Sequence, residues 1–314
     1  MSRALWTIAP GLGALRDEEL PPPAADEVLV RTLATGVSRG TEALVFAGRV
    51  PPSQYQTMRA PLMGGSFPFP VKYGYAAVGE AEARRVFVLH PHQDAFVAPR
   101  SMCIPVPDAV PTFRAVLAAN METALNLVWD AAPLPGERIL VIGAGVVGLL
   151  AASLLVRFPV ARVTVADVNP ARAPLAERFG CRFVAPEGAP PGQELIVHAS
   201  TSEAGLRLAL DRAAPEARII EASWYGDRAP SLPLGETFHA CRLRIISSQV
   251  GMMASPMRGR RTHAERLGLA LDLLADPAYD ALLEGPTRFD DLPAALPEIL
   301  APGRLCHVIS YGDC

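Results

Sequence analysis

A chain of 314 residues, half of them hydrophobic and 19% charged, has the balance of a globular protein with room for two domains, not of a disordered one. Its net charge is −3 with acids and bases interspersed; no basic stripe is present, so nucleic acid is not an expected partner. The longest apolar stretches, such as 146–156, are too short for a bilayer, and the start MSRALWTIAPG lacks the regions of a signal peptide, so a cytoplasmic enzyme is expected. The five cysteines (Cys103, Cys181, Cys241, Cys306, Cys314) include no CxxC pair, so the sequence encodes neither a disulfide framework nor a four-cysteine zinc lobe. Cys181 and Cys306 lie among apolar residues and read as inert core groups.

The first third reads as β-rich. Residues 27–33 (EVLVRTL), 85–89 (RVFVL) and 95–98 are strands, and 40–46 is a short helix between turn-rich loops. Residues 113–130 carry apolar side chains at helical spacing. After Pro135-Gly136 strand and helix alternate: strands at 138–142, 162–166, 195–199, 218–222 and 243–247, helices at 146–158, 170–179 and 203–213. Such alternation implies right-handed crossovers and a parallel sheet buried on both faces. An amphipathic helix at 263–274 and a strand at 305–311 close the chain. The expected fold class is therefore α/β, a β-rich domain (1–112) followed by a doubly wound parallel sheet of Rossmann type (113–262), with a tail (263–314) that returns to the first domain.

The strand at 138–142 runs into Gly143-Ala144-Gly145-Val146-Val147-Gly148, which opens a helix. A GxGxxG in this context predicts a dinucleotide site. Gly143 permits the tight turn, Gly145 lets a pyrophosphate approach the backbone, and Gly148 lets the helix pack on the strand. The helix amides then hold the phosphates. The second strand ends at Asp167, 19 residues after Gly148. A carboxylate there accepts from a ribose hydroxyl and repels a 2′-phosphate, which favours NAD(H) over NADP(H). Arg172 nearby is a candidate contact to adenine or phosphate, and Asp167 has a structural alternative as the N-cap of the next helix.

With these parts in order, the chain resembles the alcohol dehydrogenase-like medium-chain dehydrogenase/reductase superfamily, in which a GroES-like β domain precedes the Rossmann domain. GVSRGTE (36–42), YGYAAVGE (73–80), RILVIGAGVVG (138–148) and VADVNPARAPLAERFG (165–180) carry the resemblance. Residues 36–50 look closest to a branch that includes bacteriochlorophyllide a dehydrogenase. The superfamily's zinc ligands are absent: Ser38, or Arg39 with the gap placed differently, stands at the cysteine position, Tyr75-Ala76 at the His-Glu pair, and Asn120 near the third ligand, with Glu122 two residues on. Serine, tyrosine and asparagine are poor zinc ligands, so the resemblance combined with these departures implies a zinc-free enzyme.

Without a metal, side chains must polarise the substrate. The resemblance makes Thr41 the hydroxyl that relays the substrate proton and places Ser38 and Tyr75 where they could bond a carbonyl. Lys72, close in sequence, would favour the ionised phenol of Tyr75. Ser38 could instead make a turn bond and Tyr75 be a core aromatic. The resemblance also puts Ser200 in a loop touching the cofactor, His307 where relatives place an arginine near the pyrophosphate, and Trp224 and Tyr225 in a substrate pocket or a dimer core. The expected function is NAD(H)-dependent hydride transfer to or from an alcohol, a ketone or an activated alkene by a homodimer. A non-catalytic dinucleotide sensor is one rival. The other is a zinc enzyme using His90, His92 or Glu122, against a bland reading of His90-Pro91-His92 as surface or supporting polar structure.

Overall fold

The structure, a computed structural model, describes residues 1–312. The chain divides into two compact units, residues 1–119 with the tail from Leu267, and residues Asn120–Arg266. No helix among the described residues is long and apolar enough to cross a membrane.

The first unit is built on antiparallel strands. Ser2–Ala9 and Leu12–Glu18 form a hairpin in which Ala9 opposes Leu12, and Gly11 supplies the left-handed φ of 71° at its turn. The hub is Glu27–Val37, which pairs with Ala77–Ala81, with Ala95–Pro99 and with the tail strand Cys306–Ser310. Its first residues alternate in burial, whereas Ala34, Thr35, Gly36 and Val37 are all buried. Val28 and Val30 pack with Val86, Val88 and Phe96, while Val37 packs with Leu5, Phe289, Leu292, Leu296 and Ile309. Gly36 is glycine for space: a Cβ there would lie 2.9 Å from the Val116 side chain.

The second unit carries a six-stranded, wholly parallel sheet. Its order is Arg182–Val184, Arg162–Ala166, Arg138–Ile142, Gln193–His198, Ala213–Glu221, Arg244–Ser247. The order reverses between Arg138–Ile142 and Gln193–His198, and in such sheets ligands bind outside the strands' carboxyl ends at that point. Ile139, Leu140 and Val141 are fully buried, as a central strand covered on both faces requires. The helix Val146–Leu155 buries Leu149, Leu150 and Leu155 completely. At about 2 kcal/mol for each such side chain, packing holds this ten-residue helix, since one so short is marginal alone.

The α/β class and the parallel unit are as the sequence predicts. The single helix expected at 113–130 is two, Thr112–Ala115 and Ala118–Ala131. Val116 and Leu117 stay fully buried through the break, so the apolar period runs on and conceals it. Arg114 anchors the first piece through two 2.7 Å bonds to Asp280. The strand Ser2–Ala9 and the helix Leu292–Ile299 are additional; Pro297 inside that helix obscures its pattern in the sequence.

Candidate functional site

In the second unit, the strand Arg138–Ile142 delivers Gly143 with a φ of 107°, a region only glycine adopts freely. A Cβ at Gly143 would lie 2.9 Å from the Ala199–Ser200 backbone, and one at Gly148 would lie 1.9 Å from the Gly143 carbonyl oxygen. Both glycines are demanded by close packing. Gly145 is different: it is exposed, nothing lies within 4 Å of its Cβ direction, and no side chain caps the helix it begins. Its open face and uncapped amides suit an anion, so these residues fit a dinucleotide pyrophosphate. Ala144 is buried and Val146 and Val147 half-buried on the same turn.

Asp167 is tied to this turn. Its Oδ2 accepts from the Ala144 N–H at 2.6 Å and its Oδ1 from the Asn169 N–H at 2.8 Å. The cap of the following turn is Asn169, whose side chain accepts from Ala171 at 3.0 Å, so capping is not the role of Asp167. Arg172 is half-buried at the end of that turn, Pro170–Arg172. Ser200 follows the neighbouring strand, and its hydroxyl is engaged with His198 at 2.7 Å and Ser202 at 2.8 Å. His307 belongs to the first unit, on the tail strand, with Nε2 2.8 Å from the Thr287 hydroxyl. Burial lowers its pKa.

In the first unit, Ser38 is the N-cap of the helix Arg39–Phe46 yet makes no capping bond with its side chain. Its hydroxyl and that of Thr41 share hydrogen bonds with the Tyr75 phenol. Burial, followed by the nearby Glu42 carboxylate, pushes that phenol up to about 12. Three hydroxyls expected near one another are thus brought together. Tyr75 continues an aromatic row, edge-on to Tyr73 at 6.0 Å, with Tyr73 5.7 Å from Phe67.

Lys72 does not act as expected. Its Nζ pairs with Glu18 at 2.6 Å and donates to Gln93 Oε1 at 2.9 Å, and the Tyr75 phenol is raised rather than lowered. The lysine fastens the N-terminal hairpin and leaves the phenol neutral. Nor are His90 and His92 surface groups: both are buried. His90 stacks on Phe96 at 3.5 Å and is pushed down to about 3 by burial.

His92 occupies a chain of buried polar groups that the sequence reading missed. Its Nε2 donates to Glu42 at 2.9 Å and its Nδ1 is hydrogen-bonded with the Thr35 hydroxyl at 2.6 Å, which lies 3.2 Å from the Tyr311 hydroxyl. The other Glu42 oxygen accepts from the Ser38 N–H at 2.7 Å. The signal was Glu42 inside the SRGTE motif, but its partner lies 50 positions away. Glu42 and His92 hold each other, and the Cys306 thiol is pushed up to about 12 by burial. Among the described residues no three His, Cys, Asp or Glu are grouped to hold a metal ion. The hydroxyl set around Tyr75 does not fit zinc, which prefers thiolate, imidazole and carboxylate. Glu122, in the second unit, is buried against Arg266 at 3.0 Å, so it is a structural ion pair.

Residues 123–232 match the family model of the alanine dehydrogenase/PNT C-terminal domain. A probable D-xylulose reductase A from Aspergillus fumigatus is 30% identical over 84 residues, 27% of this chain and 24% of that protein, so the match spans about a quarter of the relative's length. Likeness of fold extends further. A structure described as a short chain alcohol dehydrogenase from E. coli CFT073, complexed with NADH, superposes with a TM-score of 0.78 over 98% of this chain and 99% of that one, at 17% identity. A putative zinc-binding dehydrogenase from Sinorhizobium meliloti 1021, bound to NADP, gives 0.79 over 99% of each chain at 16% identity. The chain thus shares the fold of these dehydrogenase structures, and the family-model match lies within its second unit.

Proposed function

We propose that this chain is an NAD(H)-dependent oxidoreductase that interconverts an alcohol and a ketone, or reduces an activated alkene, without catalytic zinc. The observation that carries the reading is the Asp167 carboxylate bonded at 2.6 Å to the Ala144 amide of the glycine turn. A negative charge so placed accepts from ribose hydroxyls and disfavours a 2′-phosphate. When bound, the dinucleotide supplies or receives the hydride.

The rest of the chemistry falls to the side chains. Gly143, Gly145 and the helix amides seat the pyrophosphate. The Tyr75 phenol, kept protonated by burial, donates a hydrogen bond to the substrate oxygen where zinc would otherwise polarise it. Ser38 and Thr41 orient that phenol and pass its proton. Glu42, braced by His92, fixes the Ser38 backbone and so the start of the helix that carries Thr41. The aromatic row beside Tyr75 favours an apolar body on the substrate.

The test is a screen of alcohols, ketones and enones with metal-stripped protein, following NADH absorbance. Turnover unchanged by chelator and by added zinc supports the reading. Turnover only with zinc overturns it, and dinucleotide binding without turnover across the screen favours the sensor.

A further inference from the structure

The sharpest unassigned feature of the second unit is a His–Glu pair at its strand ends, the histidine buried and the glutamate half-buried. His198 closes Gln193–His198, Glu221 closes Ala213–Glu221, and the two are register partners in the parallel pair. Both Glu221 oxygens reach His198 Nδ1, at 2.8 and 3.0 Å, and His198 is fully buried. A carboxylate only accepts, so Nδ1 carries a hydrogen, and in the neutral imidazole Nε2 is then the acceptor. It takes the Ser200 hydroxyl at 2.7 Å; Ser200 then accepts from Ser202 at 2.8 Å, and Ser202 from the Gly205 N–H at 3.0 Å. Gly205 leaves room for this chain, since a Cβ there would lie 2.4 Å from the Ser200 Oγ.

What the chain holds is Thr201, a β-branched residue at a φ of 53°. Such a residue stays left-handed only when its surroundings over-determine it. Its N–H donates to the Ser223 hydroxyl at 3.1 Å, its carbonyl accepts from Arg228 at 2.8 Å, and its own hydroxyl donates to the Ser200 carbonyl at 2.7 Å. Each route returns to Glu221. One of its oxygens accepts from the Ser223 N–H at 2.7 Å and the other from the Tyr225 hydroxyl at 3.2 Å, and the Arg228 guanidinium lies over the Tyr225 ring at 5.6 Å. The turn so fixed abuts the phosphate turn, for a Gly143 Cβ would come within 2.9 Å of the Ser200 nitrogen. Ser200 and Gly143 follow the two strands between which the sheet order reverses.

We propose that Glu221 and His198 are a positioning pair that holds Thr201 left-handed and thereby keeps the Ser200–Ser202 turn in the shape the dinucleotide crevice requires. This rests on the dinucleotide reading above. The probe is NADH titrated into purified full-length chain by tryptophan quenching. Glu221→Gln cannot satisfy all three donors, and its Kd is expected to rise by about tenfold. Thr201→Gly in that background, where a positive φ costs nothing, is expected to return Kd to within about threefold of the starting value. Should Glu221→Gln fail to fold, Ser200→Ala cuts the same chain without touching the Glu221 carboxylate, and the same loss and rescue are expected. An unchanged Kd in a folded Glu221→Gln or Ser200→Ala protein overturns the inference. So does a loss that Thr201→Gly does not restore. A starting chain that binds neither NADH nor NADPH overturns the dinucleotide reading and this inference with it.

Discussion

Tyr75 stands where the superfamily resemblance places a zinc-ligating histidine, and its phenol is bonded by Ser38 and Thr41 and raised to about 12. Tyr75→Phe keeps the ring and its edge-on contact with Tyr73 but removes the donor. We expect the fold to persist and kcat to fall by about a hundredfold, with no recovery on adding zinc, as steady-state assays would report. A tyrosine whose folded pKa exceeds its unfolded value contributes stability below pH 10, lost as pH rises toward about 12. His90 has the opposite dependence. Held neutral down to about 3 against an ordinary 6.5, it contributes stability above pH 6.5 that is lost as pH falls toward 3. Urea melts should therefore weaken by up to about 1.4 kcal/mol per pH unit on its account below that point, with a shallower slope in His90→Asn. Equal slopes would contradict the burial argument. None of this was legible in HPH, because the stack of His90 on Phe96 depends on the folding of the neighbouring strand rather than on the tripeptide.

At the scale of elements, the glycine turn separates folding from binding. Gly148 has its Cβ direction filled by the Gly143 oxygen at 1.9 Å, so Gly148→Ala must push the helix off the sheet. Calorimetry should show a loss of several degrees in Tm, or no folded protein. Gly145 has an ordinary φ of −76° and open space around it, so Gly145→Val should leave Tm within a few degrees while blocking phosphate approach and weakening NADH binding by about tenfold or more. The opposite ranking would contradict the assignment of roles. This element was legible in the sequence because strand, turn and helix are contiguous and each glycine has a local reason. The helix Leu292–Ile299 was not, since Pro297 interrupts its pattern and its stability comes from packing with Leu5, Val37 and Phe289.

Across the molecule, the two units were legible to different degrees. The second declares itself through alternating strands and helices and a local motif. In the first, Glu42 meets His92 and Thr35 meets Tyr311 over separations of 50 and 276 positions, which no spacing rule anticipates. Lys72 is the instructive error: nearness to Tyr75 in sequence suggested an ionised phenol, but the hairpin Ser2–Ala9 and Leu12–Glu18 brings Glu18 to the lysine instead. The buried ion pair Arg266–Glu122 secures the second unit in a similarly non-local way. Arg266→Met strands a buried carboxylate and should cost about 3–5 kcal/mol in denaturant unfolding, less if Glu122→Gln accompanies it. The central claim, a dinucleotide site that prefers NAD(H) and needs no zinc, is tested most directly by titrating metal-stripped protein with NADH and with NADPH, following tryptophan quenching, in the native chain and in Asp167→Ser. Micromolar NADH binding with NADPH at least about tenfold weaker, and a preference that narrows in Asp167→Ser, is the predicted result. Equal binding of the two dinucleotides, or binding that appears only when zinc is restored, would contradict it.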